Sequence, residues 1–339
     1  MTDYLKDLCS IYGASGREDA VRNYIITKID GKCDWHTDNL GNVIAFKKGK
    51  KSPENRVMLE AHMDEVGMVI TSITSDGFLK FSFVGGVSEA VAVGRSVLVE
   101  ENYVHGVIGL KVLHLTDKDE EKKIPSVDNL FIDIGAKSRE EAEKLVCAGD
   151  YAYFDSDYVK YGDGFIKARA LDDRAGCAIL LKLIDEELEY DTFFAFNVQE
   201  ETGLVGAVAS AYSINPDYAI VVETTTAADI NSVEGENRVC ELGKGAVVSF
   251  MDGRTIYNRE LYNLAFDIAD KNGIKVQTKS KVAGGNDAGV ITKNRCGVKT
   301  IAVSLPCRYL HSPSCVIKES DLFESYRLVK LLASEFGNR

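Results

Sequence analysis

An α/β fold interrupted by a second, β-rich unit is what this sequence predicts, and three features predict it. Apolar strand-like runs alternate with helical periodicity at both ends of the chain. Between them the texture changes to short β segments broken by turn residues. The length, 339 residues, suits about two domains at roughly 150 residues each.

Helical stretches are expected around Asp3–Tyr12 and Arg17–Ile29, parted by Gly13-Ala14-Ser15-Gly16, where Ser15 or Gly16 can start the second helix. Arg56–Ala61 reads as a buried strand ending at His62. From Met68 onward Val69-Ile70, Phe78–Phe83, Val97–Val99 and Val104–Ile108 are short strands separated by Asp76-Gly77, Gly85-Gly86 and Glu100–Asn102. The charged run Thr116–Lys123 reads as a solvated loop, and Ser138-Arg139-Glu140-Glu141 carries a capping-box signature. After Gly164 the α/β rhythm returns. Asp173–Glu186 is apolar nearly all round, as a deeply buried helix should be. Strands at Thr192–Val198 and Tyr218–Val222, a small-residue helix at Ala207–Tyr212 and a helix through Leu261–Ala269 closed by Gly273 follow. Strands at Lys275–Thr278 and Lys299–Ser304 precede a last helix with Leu322, Tyr326, Val329, Leu332, Ala333 and Phe336 on one stripe.

Charge and cysteine usage exclude several classes. With 40 basic and 52 acidic residues the net charge is −12, which repels phosphate backbones and anionic lipid, so neither nucleic acid nor a membrane is an expected partner. No apolar run approaches the ~18 residues of a membrane span. The acidic, amphipathic start Met1–Leu8 does not read as a signal peptide. Eight cysteines form no C-x-x-C pair and are scattered through the expected elements, the pattern of reduced thiols in a cytoplasmic protein. Phosphate-binding P-loops, the dinucleotide glycine fingerprint, the G-x-S-x-G elbow and H-E-x-x-H are all missing.

Chemistry concentrates where strands end. The period of two along an extended chain puts His62 and Asp64 on one side, so Asp64 can hold one ring nitrogen and leave the other for a metal. A strand-end histidine bonded to its neighbour is the plainer alternative. Asp172-Asp173 precede the buried helix, where one aspartate is an ordinary cap and two are harder to place. Val198-Gln199-Glu200-Glu201-Thr202-Gly203 runs a strand into paired glutamates, and Val222-Glu223 repeats the pattern. His311 sits in a turn after Thr300–Ser304. Such strand ends are where ligands bind in open α/β sheets. Together His62, Asp172, Glu201, Glu223 and His311 make a two-histidine, three-carboxylate set suited to a pair of zinc-like ions.

The strings His62-Met63-Asp64-Glu65-Val66-Gly67, Leu171-Asp172-Asp173-Arg174-Ala175-Gly176, Gln199-Glu200-Glu201-Thr202-Gly203, Gly284-Gly285-Asn286-Asp287-Ala288-Gly289 and Cys307-Arg308-Tyr309-Leu310-His311-Ser312-Pro313 resemble the M42 family of metallo-aminopeptidases over essentially the whole chain. That family includes glutamyl aminopeptidases, tetrahedral aminopeptidases and members labelled endoglucanase M. The resemblance implies a mixed-sheet, di-metal α/β peptidase domain at 1–67 and 163–339. It also implies an inserted β-barrel-like dimerisation domain at 68–162. Two divalent ions per subunit are implied, zinc or cobalt, with manganese also compatible with nitrogen and oxygen ligands. His62 and Glu223 would complete one metal position, Glu201 and His311 the other, with Asp172 bridging, Glu200 as general base and Asp64 orienting His62. Glu223 stands where the family more often has Asp, and its extra methylene still permits coordination. A cis peptide after Asp172, peptide substrates and homo-oligomers from dimer to tetrahedral dodecamer are implied as well. Asn286, Asp287 and Arg308 flank motif positions; they are candidates for lining the pocket or for structuring loops, and a pocket arginine would favour acidic N-terminal residues. Three alternatives stand beside this reading. One is a metal-free glycosidase with paired carboxylates, weakened by the single tryptophan, Trp35, available to stack sugars. The others are an amidohydrolase acting on acylated substrates and a scaffold with a relic site.

Overall fold

Amphipathic α1 (Thr2–Ser10) and α2 (Asp19–Ile29) open the chain in a computed structural model that describes residues 1–100, 102–112, 114 and 123–339. The charged run expected to be a solvated loop lies, but for Lys123, outside the described residues. Next come β1 (Asp34–Thr37), β2 (Val43–Lys47) and β3 (Val57–His62). The second stretch supplies β4 (Gly67–Ile73), β5 (Leu79–Val84), the one-turn α3 (Glu89–Ala92), β6 (Ser96–Val99) and β7 (Val104–Leu110). It continues with β8 (Leu130–Asp133), the one-turn α4 (Arg139–Ala142) and β9 (Tyr151–Phe154). Then follow β10 (Val159–Tyr161), β11 (Phe165–Ala168), α5 (Leu171–Ile184), β12 (Thr192–Asn197), α6 (Val205–Ile214) and β13 (Tyr218–Thr226). The chain closes with β14 (Ala246–Val248), α7 (Arg259–Asn272), β15 (Val276–Thr278), α8 (Ala288–Ile291), β16 (Lys299–Cys307), β17 (Cys315–Lys318) and α9 (Glu319–Asn338).

Among the described residues the strands form an eight-stranded sheet in the order β1-β2-β12-β3-β13-β16-β14-β15, a closed barrel β4-β5-β8-β7-β6-β9 and a small sheet β10-β11-β17. The large sheet is mixed: β12, β3, β13 and β16 run parallel in its centre, and β1, β2 and β14 join antiparallel. Its central strands are apolar on both faces because helices cover both. Val57, Leu59, Ile220, Val222, Ile301 and Val303 pack with α1, α5 and α9, whereas Met58, Ala219, Val221 and Ala302 pack with α6 and α8. The barrel has its own apolar core, including Met68, Leu79, Val97, Ile108, Ile132 and Phe154. β10 pairs with β11, outside the barrel.

Two local expectations shift. Ser15 does not cap α2, which starts four residues later at Asp19; its hydroxyl is spent on Asp64 instead. Ser138 does cap α4, accepting from Glu141 N, but that helix lasts one turn. All eight cysteines are free. Among the described residues no helix is long and apolar enough to cross a membrane.

Candidate metal centre

Parallel strands end together, and their ends carry the polar residues. β13 pairs with β3 so that Val221 lies opposite Glu60, which brings Glu223, two residues on, level with His62. Asn197, the last residue of β12, lies opposite His62 and leads directly into Glu200 and Glu201. β16 runs on to His311, and α5 delivers Asp172 from below. The result is a cleft of about 460 Å³ lined by His62, Asp172, Glu200, Glu201, Glu223 and His311 among others.

Asp172 sits between the two histidines. Its Oδ1 is 3.3 Å from His62 Nε2 and its Oδ2 is 3.2 Å from His311 Nε2. Glu223 Oε1 lies 3.6 Å from His62 Nε2, and Glu201 Oε1 lies 3.2 Å from His311 Nε2. The other ring nitrogens are held from outside. His311 Nδ1 donates to the carbonyl of Gly86 at 2.9 Å, and because a carbonyl only accepts, Nε2 of the neutral ring presents its lone pair to the cleft. His62 Nδ1 lies 3.3 Å from Asp64 Oδ1. Asp64 in turn accepts from Ser15 Oγ at 2.6 Å and from the amides of Glu200 and Glu201 at 3.0 and 3.1 Å.

The two adjacent aspartates divide the space as their burial requires. They are joined by a cis peptide, and neither has helical backbone angles. Asp172 faces the cleft; Asp173 is fully buried and accepts from Gly176 N at 2.9 Å. Gly176 has to be glycine there, since a Cβ would fall 2.3 Å from Asp173 Oδ2 and 2.6 Å from the Val222 carbonyl. Asp173 also groups with His62 and Glu223, so it is a further candidate donor at that end.

Packing this many carboxylates together displaces their protonation. Burial pushes Glu200 up to about 10, with Glu223, Asp287 and Glu201 adding to it against the pull of His62, and burial followed by Asp172 pushes Glu223 up to about 8, again against His62. For His311 burial works against the charged ring, yet Asp172 and Glu201 outweigh it and raise the imidazole to about 12. Asp64 goes the other way: burial is overcome by His62, Ser15 and the Glu200 amide, and its carboxyl lies below the usual range.

The donor set fits divalent cations. At zinc-like bond lengths of about 2.0–2.1 Å, tetrahedral donors stand roughly 3.3 Å apart, the spacing seen around both histidine Nε2 atoms. Asp173 Oδ2 is buried with no hydrogen-bond partner, and the buried Glu201 Oε1 has only His311 Nε2 beside it at 3.2 Å, an arrangement that suits oxygens able to take a cation.

A family model described as M42 glutamyl aminopeptidase matches residues 41–328. The chain belongs to that family. M42 proteins are metallopeptidases, in keeping with the donor cluster. A curated relative from Acetivibrio thermocellus, named a putative aminopeptidase, is 40% identical over 332 residues, 97% of either chain. The aminopeptidase APDkam598 of Desulfurococcus kamchatkensis superposes with a TM-score of 0.93 at 36% identity, covering 98% of this chain and 94% of that one. The TET1 peptidase of Pyrococcus horikoshii, described as assembling into a tetrahedron or a large octahedral shell, gives 0.86 at 36% identity over 98% and 99%.

Within this M42 cleft some expected lining residues are elsewhere. Arg308 is not available to a substrate: it is held by Asp229 through two bonds of 2.7 Å and is absent from the cavity wall. Asp287 is buried behind the cleft with Glu60, both bonded by Asn197 Nδ2. Asn286 does line it. The sequence reading missed Arg254 and Lys279, which also line the cleft, and the Gly86 carbonyl. Neither cation lies in a motif; only the fold brings them to the cleft.

Proposed function

We propose that this protein is a co-catalytic, metal-dependent aminopeptidase that removes N-terminal residues from peptides. The observation that carries the reading is Asp172 lying between two histidine Nε2 atoms, each with a second carboxylate, beside the uncommitted Glu200. His62, Asp172 and Glu223 would hold one divalent cation and His311, Asp172 and Glu201 the other. Such cations supply Lewis acidity toward a carbonyl and a lowered pKa for water. Glu200 accepts the proton of the attacking water and passes it to the departing amine, with Asp64 fixing His62 and the backbone of the base. A cleft this rich in carboxylates favours a free α-ammonium over an acylated terminus. Zinc or cobalt suits the mixed nitrogen and oxygen donors.

Glu200→Gln should keep both ions by metal analysis and lose about 10²- to 10⁴-fold in kcat; wild-type turnover would remove Glu200 from this role. The far wall favours an acidic N-terminal side chain. Lys279, nearly buried, spends one donor on the Ala283 carbonyl, and Arg254 lines the same cleft. Asp252, the carboxylate on that wall, is occupied by two amides and the Tyr257 hydroxyl. Among glutamyl, aspartyl, leucyl and lysyl p-nitroanilides the acidic pair should be preferred. Lys279→Met should lower kcat/KM for the glutamyl substrate roughly 10- to 100-fold relative to leucyl; an unchanged ratio would argue against this wall as the selector. We further propose that 68–162 is the self-association unit, since Tyr103, Val107 and Leu110 are exposed on the barrel. The assembly would range from dimer to tetrahedral dodecamer.

A further inference from the structure

The turn that carries Glu200 is held in an unusual way. Four successive backbone amides leave β12, and each meets a buried side-chain oxygen. Val198 N donates to Asn42 Oδ1 at 2.9 Å, Gln199 N to Glu18 Oε1 at 3.1 Å, and the Glu200 and Glu201 amides to the two oxygens of Asp64 at 3.0 and 3.1 Å. Asp64 also faces His62, so its place in the site is already accounted for. Glu18 and Asn42 are different: neither lines the cleft.

Both are fixed from behind. Asn42 is fully buried; its Nδ2 donates to Asp38 Oδ2 at 2.7 Å and to the Gly206 carbonyl at 2.9 Å. Gly206 closes the far side of the same turn, donating to the Val198 carbonyl at 3.0 Å, so one side chain clasps both ends. Glu18 stands at the N-cap position of α2 but makes no capping bond to that helix. It turns instead toward the Gly16 amide, at 2.8 Å, and Gln199. Gln199 has φ 55°, a left-handed backbone that a non-glycine residue rarely adopts, immediately before Glu200. Gln199 has two backbone anchors, its amide on Glu18 and its carbonyl, which accepts from Val205 N at 3.1 Å. Without the acceptor at its amide only one remains, and the peptide that leads into Glu200 is free to shift and carry the next side chain with it.

We propose that Glu18 and Asn42 are positioning residues for the catalytic base, holding the 198–201 backbone so that the Glu200 carboxylate stays aimed into the cleft. This rests on the reading of Glu200 as base. The direction follows from geometry: Glu18 acts through the peptide just before Glu200, whereas the amides of Glu200 and Glu201 remain on Asp64 when Glu18 is lost. Loss of Glu18 therefore affects turnover and leaves metal binding intact.

The test uses the full-length, metal-loaded protein and the p-nitroanilide that wild type cleaves best. kcat, KM, metal content and Tm are measured for Glu18→Ala, Glu18→Asp, Glu18→Gln and Glu200→Gln. Glu18→Ala should lower kcat about 10- to 100-fold, the scale of a misaimed catalytic group, with KM within about twofold and wild-type metal content. Glu18→Gln keeps an oxygen for both amides and should recover most of the loss. Glu18→Asp withdraws that oxygen by one methylene while keeping the charge, and should show the same fall in kcat, so the test stands even where the alanine variant fails to fold. A kcat per folded, metal-loaded molecule within about twofold of wild type in Glu18→Asp overturns the proposal, as does a loss confined to KM or to metal content. Activity persisting in Glu200→Gln would instead overturn the base assignment itself.

Discussion

The barrel and the large sheet solve opposite problems with neighbouring stretches of one chain. The barrel closes on itself, so it has no free sheet edge, and its core cluster is apolar throughout. Within 67–154 the only buried charged side chain among the described residues is Asp150. The open sheet stops abruptly, and the ends of β3, β12 and β13 gather Glu60, His62, Asp64, Glu200 and Glu223 below about one-tenth exposure. Burying charge is costly unless it is paired or metal-bound. The difference teaches that buried charge, and the chemistry it allows, gathers at the strand ends of one region and is all but excluded from the other. Among the described residues the barrel region touches a proposed ligand through the hydrogen bond from His311 to the Gly86 carbonyl.

That contrast can be broken. Ile132 is fully buried in the barrel core. Ile132→Ala should cost about 2–5 kcal/mol of stability in denaturant unfolding, while kcat per folded molecule stays at the wild-type value. A matching fall in kcat would show that the barrel core reaches the chemistry. Gly86→Ala tests the junction: an added Cβ would come 3.3 Å from His311 Nδ1. It should weaken metal affinity roughly 10- to 100-fold, read by competition with a chelating dye, with little change in Tm.

The smallest effect is a pH trend. Glu200 and Glu223 have folded pKa values raised to about 10 and about 8, above the unfolded carboxylate value, so the metal-free native state binds more protons than the unfolded one from about pH 4.5 upward. The stability of chelator-treated protein should therefore fall as pH rises from 5 to 8, and restoring metal should flatten the slope, since cations take the place of those protons. A rising Tm for the metal-free form over that range would contradict the carboxylate cluster as described.

Much of this was legible in the chain. His62, Glu201, Glu223 and His311 each follow an apolar run, and a run that ends in a charged residue marks a strand end whatever its neighbours are. Four of the barrel's six strands, β4 to β7, announced themselves by turn residues, whereas the four-residue β8 and β9 did not. β1, β2 and β14 did not, because Asp34–Thr37 is mostly polar and Val43–Lys47 and Ala246–Val248 are short. Ser15 reads as a helix start and Glu18 as an ordinary residue of the helix expected at Arg17–Ile29, since side chains that reach across to Asp64 and Gln199 carry no local signal of it.

By itself the sequence determined the alternation of strands and helices, the break where the barrel begins and the residue types at the strand ends, because periodicity and burial are local properties. Tertiary structure alone decided that Asp172 stands between two histidines, that Arg308 is consumed by Asp229 while Lys279 and Arg254 face the cleft, and that Glu18 and Asn42 grip the turn bearing Glu200. Each of those joins residues tens to hundreds of positions apart. Only strand register and packing, not neighbourhood in the chain, bring such atoms within bonding distance.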